Sequence, residues 1–314
     1  MPELPEVETV RLSLEPLILG ARIGAINELT PGVLINLAGV ETQAVDWRIT
    51  ALRRRGKYLL IDLVDDLLLV AHLRMTGQFI FQDPPSSFQK HDHISILLEK
   101  NQDSLPNGKF QLVFHDTRRF GRIWLLKTDQ LPQLAGLAGL GPEPLDHDLT
   151  GKQLRDRLKR RARTSLKAAL LDQTVIAGLG NIYVDETLFL ARISPNRAAG
   201  SISLTEIERL LGCMREVLTR AVHARGTSVK DYVDALNVRG SFQYQLQVYG
   251  RGGQPCTNCG APLNKIVLAG RTTVYCPHCQ PDSKVPKAPS TLTITKSEKV
   301  SKLGSKQPTQ DQSV

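Results

Sequence analysis

Four of the five cysteines fall in two pairs, Cys256-Thr-Asn-Cys259 and Cys276-Pro-His-Cys279, with sixteen residues between them. A CxxC turn sets two thiolates on one side of a tight loop, and two such turns close a tetrahedron around Zn2+. Four thiolates leave no coordination position open, so the expected metal is one structural zinc with no catalytic task. The segment is too short to bury a core, so the metal must hold its fold. His278 lies between two ligands, but the cysteines already complete the set. The fifth cysteine, Cys213, falls on the apolar face of an expected helix and reads as a small buried hydrophobe.

A second group carries positive charge. Lys152, Arg155, Arg157, Lys159, Arg160, Arg161, Arg163 and Lys167 face only Asp156 and Asp172. Such a run is either a solvated helix face or a phosphate-binding surface. Gly178-Leu-Gly180-Asn181 follows and opens the next helix. Glycines there let the backbone approach an anion, and a helix N-terminus offers free N–H groups to it. Helix, glycine turn and helix together give a helix–turn–helix-like layout with a long turn. Gly136, Gly139 and Gly141 lack the strand–turn–helix setting of a nucleotide fingerprint.

The elements around these groups follow from periodicity. Residues 1–130 read as a helix and then antiparallel strands. Pro5 opens the helix, Val7, Val10 and Leu14 share a face, and Pro16 marks its expected end. Tyr58–Val64 and Leu67–Leu73 flank an Asp65-Asp66 turn, and further strands are expected near 93–98, 110–114 and 122–126. Antiparallel strands joined this way suggest a sandwich or barrel. Residues 131–150, rich in Gly, Pro, Leu and Ala, read as a linker. From Gly151 to about 240 the period is helical: Leu154, Leu158, Ala162 and Leu166 recur, a second helix runs from Ile182 past Phe189, and a third starts at the Ser203/Glu206 capping box and stops near Gly226. The cysteine module takes 241–281, and 282–314 reads as a disordered basic tail.

Composition bounds the partner. The 314 residues are 41% hydrophobic and 23% charged, with 40 Lys and Arg against 31 Asp and Glu. That excludes a fully disordered or collagen-like chain, and the +9 net charge points to an anionic partner. No stretch has the roughly 18 apolar residues of a membrane span, and the N-terminus lacks the pattern of a secretory signal. A protein of the cytoplasm, at the nucleoid, is expected.

MPELPEVET at the N-terminus, RRRGKYLL at 53–60, HLRMTG at 72–77, KHDH at 90–93, DTRRFG at 116–121, GLGNIYVDE at 178–186 and VYGRGGQPC…AGRTTVYCPHC at 248–279 occur in that order. Together they closely resemble bacterial formamidopyrimidine-DNA glycosylases, over residues 1 to about 281. The resemblance implies an α+β multidomain fold: an N-terminal antiparallel β-sandwich, a helix–two-turn–helix domain and a C-terminal zinc β-hairpin. It implies a monomeric base-excision repair enzyme acting on damaged double-stranded DNA. Such an enzyme removes oxidised purines, 8-oxoguanine and formamidopyrimidines, and then cleaves the strand at the abasic site by β,δ-elimination.

By the same resemblance, removal of Met1 exposes Pro2 as a secondary amine that attacks C1′, and Glu3 shuttles protons as the base leaves. An α-amine titrates near pH ~7.7–8.0, far below Lys at about 10.4, so part of it is neutral and nucleophilic at neutral pH. Lys57 corresponds to the acid of β-elimination and Arg271 to the residue of δ-elimination, or to a phosphate clamp. His91, Arg163 and Asn181 correspond to DNA-contacting positions. Met75, Arg118 and Phe120 correspond to the trio that fills the gap after base extrusion, with Arg118 also a DNA contact. Where the family carries a Lys, this chain has Arg163, which still suits phosphate. The loop from about 226 to 240 corresponds to a variable lesion-capping loop and does not fix substrate preference. Two alternatives stand beside this one: an endonuclease VIII-like enzyme for oxidised pyrimidines, and a non-catalytic zinc DNA-binding protein. The PELPEVE start and the AGRTTVYC hairpin favour the purine enzyme.

Overall fold

A computed structural model describes residues 1–100, 108–228 and 232–282. The expected disorder of the basic tail therefore lies outside the described residues. The chain opens with helix α1 (Leu4–Ile18). Glu3 is its N-cap, and the Glu3 N–H donates to Glu6 Oε2 at 2.8 Å, the reciprocal bond of a capping box. Pro16 does not end the helix as expected. It lies inside, and Leu19 N–H still donates to Glu15 O at 3.0 Å. An internal Pro costs roughly 3 kcal/mol. Burial of Ile18, which is fully enclosed, returns about 1.5–3 kcal/mol of that.

Among the described residues nine strands follow: β1 (Arg22–Glu28), β2 (Leu34–Asn36), β3 (Trp47–Arg55), β4 (Tyr58–Leu63), β5 (Leu67–His72), β6 (Gly77–Gln82), β7 (Asp92–Lys100), β8 (Gly108–Asp116) and β9 (Arg122–Lys127). They form one sheet in the order β2-β9-β5-β4-β3-β1-β7-β8-β6. Only Arg22↔Arg48 and Ile23↔Trp47 join β1 to β3, so the sheet divides there into two blocks. One core cluster takes Leu59, Ile61, Leu69 and Leu125 from the first block and Phe79, Ile94, Ile96 and Phe114 from the second, with Val7, Val10 and Leu14 of α1. The two blocks thus share one interior, as layers of a sandwich do. The expected antiparallel pairing has one exception: β2 runs parallel to β9. At the β4–β5 turn, Asp65 and Asp66 take φ of 60° and 56°, the left-handed pair that matches strand twist.

The connecting stretch is itself folded. A 3-10 turn (Thr128–Gln133) leads to helix α2 (Ala135–Ala138). Leu131, Leu134, Leu137 and Leu140 cover Tyr58, Leu60, Leu68, Val70 and Leu126 on the outer face of β4, β5 and β9. That is why β5 is buried on both faces.

The helical part contains α3 (Gly151–Lys159), α4 (Leu166–Leu171), α5 (Asn181–Leu190) and α6 (Leu204–His223). The four-residue repeat from Leu154 to Leu166 does not make one helix. The chain leaves α3 at Arg160 and restarts where Ser165 Oγ accepts the Ala168 N–H at 3.2 Å. Helix α6 has the expected capping box and apolar face, while Cys213 is only partly buried at its edge. The last element among the described residues is a hairpin of β10 (Asn264–Leu268) and β11 (Arg271–Tyr275). Among the described residues, no helix is long and apolar enough to cross a membrane.

Candidate active site and nucleic-acid interface

Glu3 and Leu4 are held against the glycine turn that precedes α5. Leu4 N–H donates to Gly178 O at 3.0 Å. Gly178 takes φ +85° and its missing side chain leaves room for Leu4, which a Cβ would approach to 2.7 Å. A Cβ on Gly180 would lie 2.3 Å from the Glu3 carboxyl carbon. The anion this turn admits is therefore the chain's own Glu3. Its Oε1 accepts the Ile182 N–H at 3.1 Å, and Oε2 lies 3.5 Å from the Tyr183 N. A carboxylate at a helix N-terminus is stabilised by about 0.3–2 kcal/mol, depending on burial.

Glu6 continues the network. It accepts the Glu3 N–H at 2.8 Å, the Thr227 N–H at 2.8 Å and the Tyr183 hydroxyl. Burial raises the Glu6 carboxyl above its ordinary value, and the neighbouring Glu3 adds to that. Burial, then Glu6, pushes the Tyr183 phenol up as well. Lys57, also buried, extends from the β3–β4 turn. Burial lowers its ammonium from the ordinary value, Glu3 and Glu6 oppose this, and Arg271 reinforces it. The turn bearing Lys57 is anchored by Glu143, which accepts Gly56 N–H at 2.6 Å, Arg54 at 2.6 Å and Arg55 at 2.9 Å.

Pro2 is buried and lines a cleft of about 360 Å³ with Met1, Glu6, Met75, Gln78, Arg118, Thr227 and Tyr249. The sandwich, the α5 turn and the loop after α6 all contribute walls. Met75 and Phe120 are 38% and 50% exposed, too open for the core positions that apolar residues usually take. The Arg118 guanidinium sits 4.7 Å over the Phe120 ring. Asp116 fixes both turns, accepting the Thr76 hydroxyl, the Arg118 N–H at 3.2 Å and the Gly121 N–H at 2.7 Å. The structure thus brings Pro2, Glu3, Met75 and Arg118 together, with Phe120 against Arg118 and Lys57 beside Glu3. Arg271 stands exposed at the start of β11, within electrostatic reach of Lys57. Asn181 donates to Thr272 O at 2.9 Å. His91 lies in the turn before β7. Arg163 is exposed in the turn between α3 and α4 and does not line the cleft.

Lys167 departs from the expected basic surface. It has no solvent exposure, and its Nζ donates to Asp185 Oδ1 at 2.7 Å and to Thr272 O at 3.0 Å. Asp185 Oδ2 accepts the Val274 N–H at 3.1 Å, so this pair ties α4 and α5 to the hairpin. Burial pushes the Asp185 carboxyl up to about 6 although Lys167 pulls it down, and burial lowers Lys167. Glu186 accepts the N–H groups of Gln247, Val248 and Tyr249. The sequence reading gave no site role to Glu6, Tyr183, Thr227 or the Lys167–Asp185 pair. One signal was available: two adjacent acids within an otherwise apolar helix must have partners.

The sulfurs of Cys256, Cys259, Cys276 and Cys279 all lie within 4.8 Å of one another, with Cys256–Cys279 at 3.9 Å and Cys259–Cys276 at 3.5 Å. Zinc with four sulfurs at ~2.3 Å places them about 3.8 Å apart, so the set fits one structural Zn2+. Val248, Leu263 and Val274 pack beside it, with Phe189 of α5.

Three family profiles match in register. Residues 1–123 match the formamidopyrimidine-DNA glycosylase N-terminal domain, 140–233 its H2TH domain, and 253–281 a zinc finger found in FPG and IleRS. The formamidopyrimidine-DNA glycosylase of Thermomicrobium roseum is 47% identical over 290 residues, covering 90% of this chain and 99% of its own. That of Desulfitobacterium hafniense is 45% identical over 285 residues, covering 89% and 100%. Among solved structures, a Lactococcus lactis FPG mutant bound to Fapy-dG-containing DNA superposes with TM-score 0.79 at 38% identity, over 89% of this chain and all of that one. The Thermus thermophilus MutM (FPG) protein gives 0.77 at 40% identity, over 90% and 100%.

Proposed function

The chain belongs to the formamidopyrimidine-DNA glycosylase family, and from that premise we propose that it is a bifunctional base-excision repair enzyme for oxidised purines. It excises 8-oxoguanine and formamidopyrimidines and then opens the strand by β,δ-elimination, as a monomer at the nucleoid. The observation that carries this reading is the placement of Pro2 and Glu3. Pro2 lines the cleft, and the adjacent Glu3 carboxylate is held against the start of α5.

Removal of Met1 leaves the Pro2 amine with a lone pair. Attack on C1′ of the damaged nucleotide forms an N–C1′ bond and breaks the bond to the base, with Glu3 shuttling protons. Ring opening gives an iminium; loss of a proton from C2′ sends its electron pair towards that cation as the 3′ phosphate leaves, and loss of a proton from C4′ in a second elimination releases the 5′ phosphate. Lys57 is the acid of the first elimination. Arg271, on the hairpin, serves the second elimination or holds phosphate. Met75, Arg118 and Phe120 fill the space left by the extruded base, offsetting a few kcal/mol of unstacking. His91, Arg163 and Asn181 hold the DNA backbone.

Borohydride trapping on an 8-oxoguanine duplex tests this. It should join protein covalently to damaged DNA. An uncleavable N-terminal extension turns the amine into an amide and should abolish trapping while zinc and DNA binding persist. Glu3→Gln should slow base excision more than cleavage at a pre-formed abasic site. Lowering of Lys57 by burial favours a second reading, in which that amine is the nucleophile; native-rate trapping by the extended protein would establish it. Thymine glycol preferred in a side-by-side assay would move the substrate to oxidised pyrimidines.

A further inference from the structure

Away from the cleft, His91 and His115 form a pair whose geometry the mechanism above does not use. His91 has left-handed backbone, φ 77°, and its carbonyl accepts the Asp116 N–H at 3.0 Å. The next residue, Asp92, is buried, and both its oxygens are engaged. Oδ2 accepts the Gln89 N–H at 2.7 Å, and Oδ1 lies 2.8 Å from His115 Nδ1. His115 sits on β8 between Gln78 of β6 and Asp92 of β7. Its ring stands edge-on to that of His91, with centroids 6.0 Å apart and planes at 87°. The His115 side chain is 19% exposed.

The carboxylate fixes a proton on His115 Nδ1 and so sets the ring's tautomer and tilt. The tilted ring in turn limits where the His91 imidazole can lie. We propose that His115 is a positioning residue for DNA binding: clamped by Asp92, it sets His91 against a backbone phosphate. This rests on the DNA-repair function proposed above.

Among the described residues, the other charged neighbours have fixed roles. His93 has both nitrogens engaged, by Thr30 and by Asp116 O. Asp116 is held by Thr76, Arg118 and Gly121. Strand β6 carries no charged side chain.

The test uses full-length, zinc-loaded protein and a duplex with a tetrahydrofuran abasic analogue. Affinity is measured for wild type, His115→Gln, His91→Gln and the double variant. His115→Gln should bind about threefold to tenfold more weakly than wild type, and should add nothing once His91 is already Gln, because His115 acts through that ring. Asp92→Asn, which keeps an acceptor for Nδ1–H, should weaken binding less than His115→Gln. Zinc content and melting temperature confirm that each variant is folded. Equal affinity of wild type and His115→Gln, or a fully additive loss in the double variant, would overturn the inference and leave the proposed function standing. Failure of wild type to bind the duplex at any pH would overturn that function itself.

Discussion

Ile182 donates its backbone N–H to the Glu3 carboxylate at 3.1 Å, across 179 positions of sequence. The first residues of the sandwich are thereby seated on the first turn of α5. The glycines of the intervening turn serve this contact: Gly180 faces the carboxyl group, and Gly178 faces Leu4.

Gly180→Ala tests that relationship. Its Cβ would fall 2.3 Å from the Glu3 carboxyl carbon, so Glu3 must move. Misplacement on the order of 1 Å at a reacting group costs roughly 10²-fold in rate. Base excision should drop by about that factor, with zinc content unchanged. Single-turnover excision of 8-oxoguanine at the native rate would show that Glu3 tolerates the shift.

Metal should be stoichiometric and necessary. Native protein should hold one zinc per chain, and Cys256→Ser should release it, since loss of one thiolate leaves a site of three. The hairpin has little core of its own beyond Val248, Leu263 and Val274. Elemental analysis and duplex binding should therefore fail together in the variant. A zinc-free variant that still binds duplex normally would separate the two.

Lys167→Met should be severely destabilising. It leaves the Asp185 carboxylate, which is 1% exposed, without its cation. Breaking a buried pair in this way costs about 3–5 kcal/mol. Adding Asp185→Asn should recover part of the loss. Urea midpoints of the two proteins decide the matter: equal midpoints for Lys167→Met and native chain would mean that the pair contributes nothing.

Acid stability should depend on Glu206. Hydrogen bonding to Arg197 holds its carboxyl at about 2, against an ordinary 4.5. A carboxyl lowered on folding contributes stability that is present above its unfolded value and lost as pH falls towards the folded one. The melting temperature of native protein should thus decline between pH ~4.5 and ~2 more steeply than that of Arg197→Met. Because the Glu206 side chain is 24% exposed, the difference should shrink in high salt.

Much of this site was legible in the sequence because its signals are local. The CxxC spacing forecasts the sulfur cluster, the Ser203/Glu206 box starts α6, and the Asp65-Asp66 turn lies between the strands it joins. Motifs in fixed order also pointed to the family. The misreadings came from non-local effects. Lys167 looked like surface charge, because a charge count does not show that Asp185 waits eighteen positions away. Pro16 looked like a stop, because local sequence does not weigh burial of Ile18. The stretch around Leu131–Leu140 looked like a spacer, yet its leucines close the outer face of three strands.

The distance between Glu3 and its partners also sets an order of assembly. During synthesis the N-terminal residues emerge first, while Gly180, Ile182 and Tyr183 do not yet exist. At ~5–20 residues per second the ribosome needs roughly 10–40 s to reach them. Throughout that interval the sandwich can form its own core, because its cluster lies within residues 7–125 apart from Ala235. Its N-terminal carboxylate has no seat. On the function proposed above, a nascent chain ending before α5 would lack the seat of its Glu3 carboxylate, and reactivity would arrive only with the second half of the molecule.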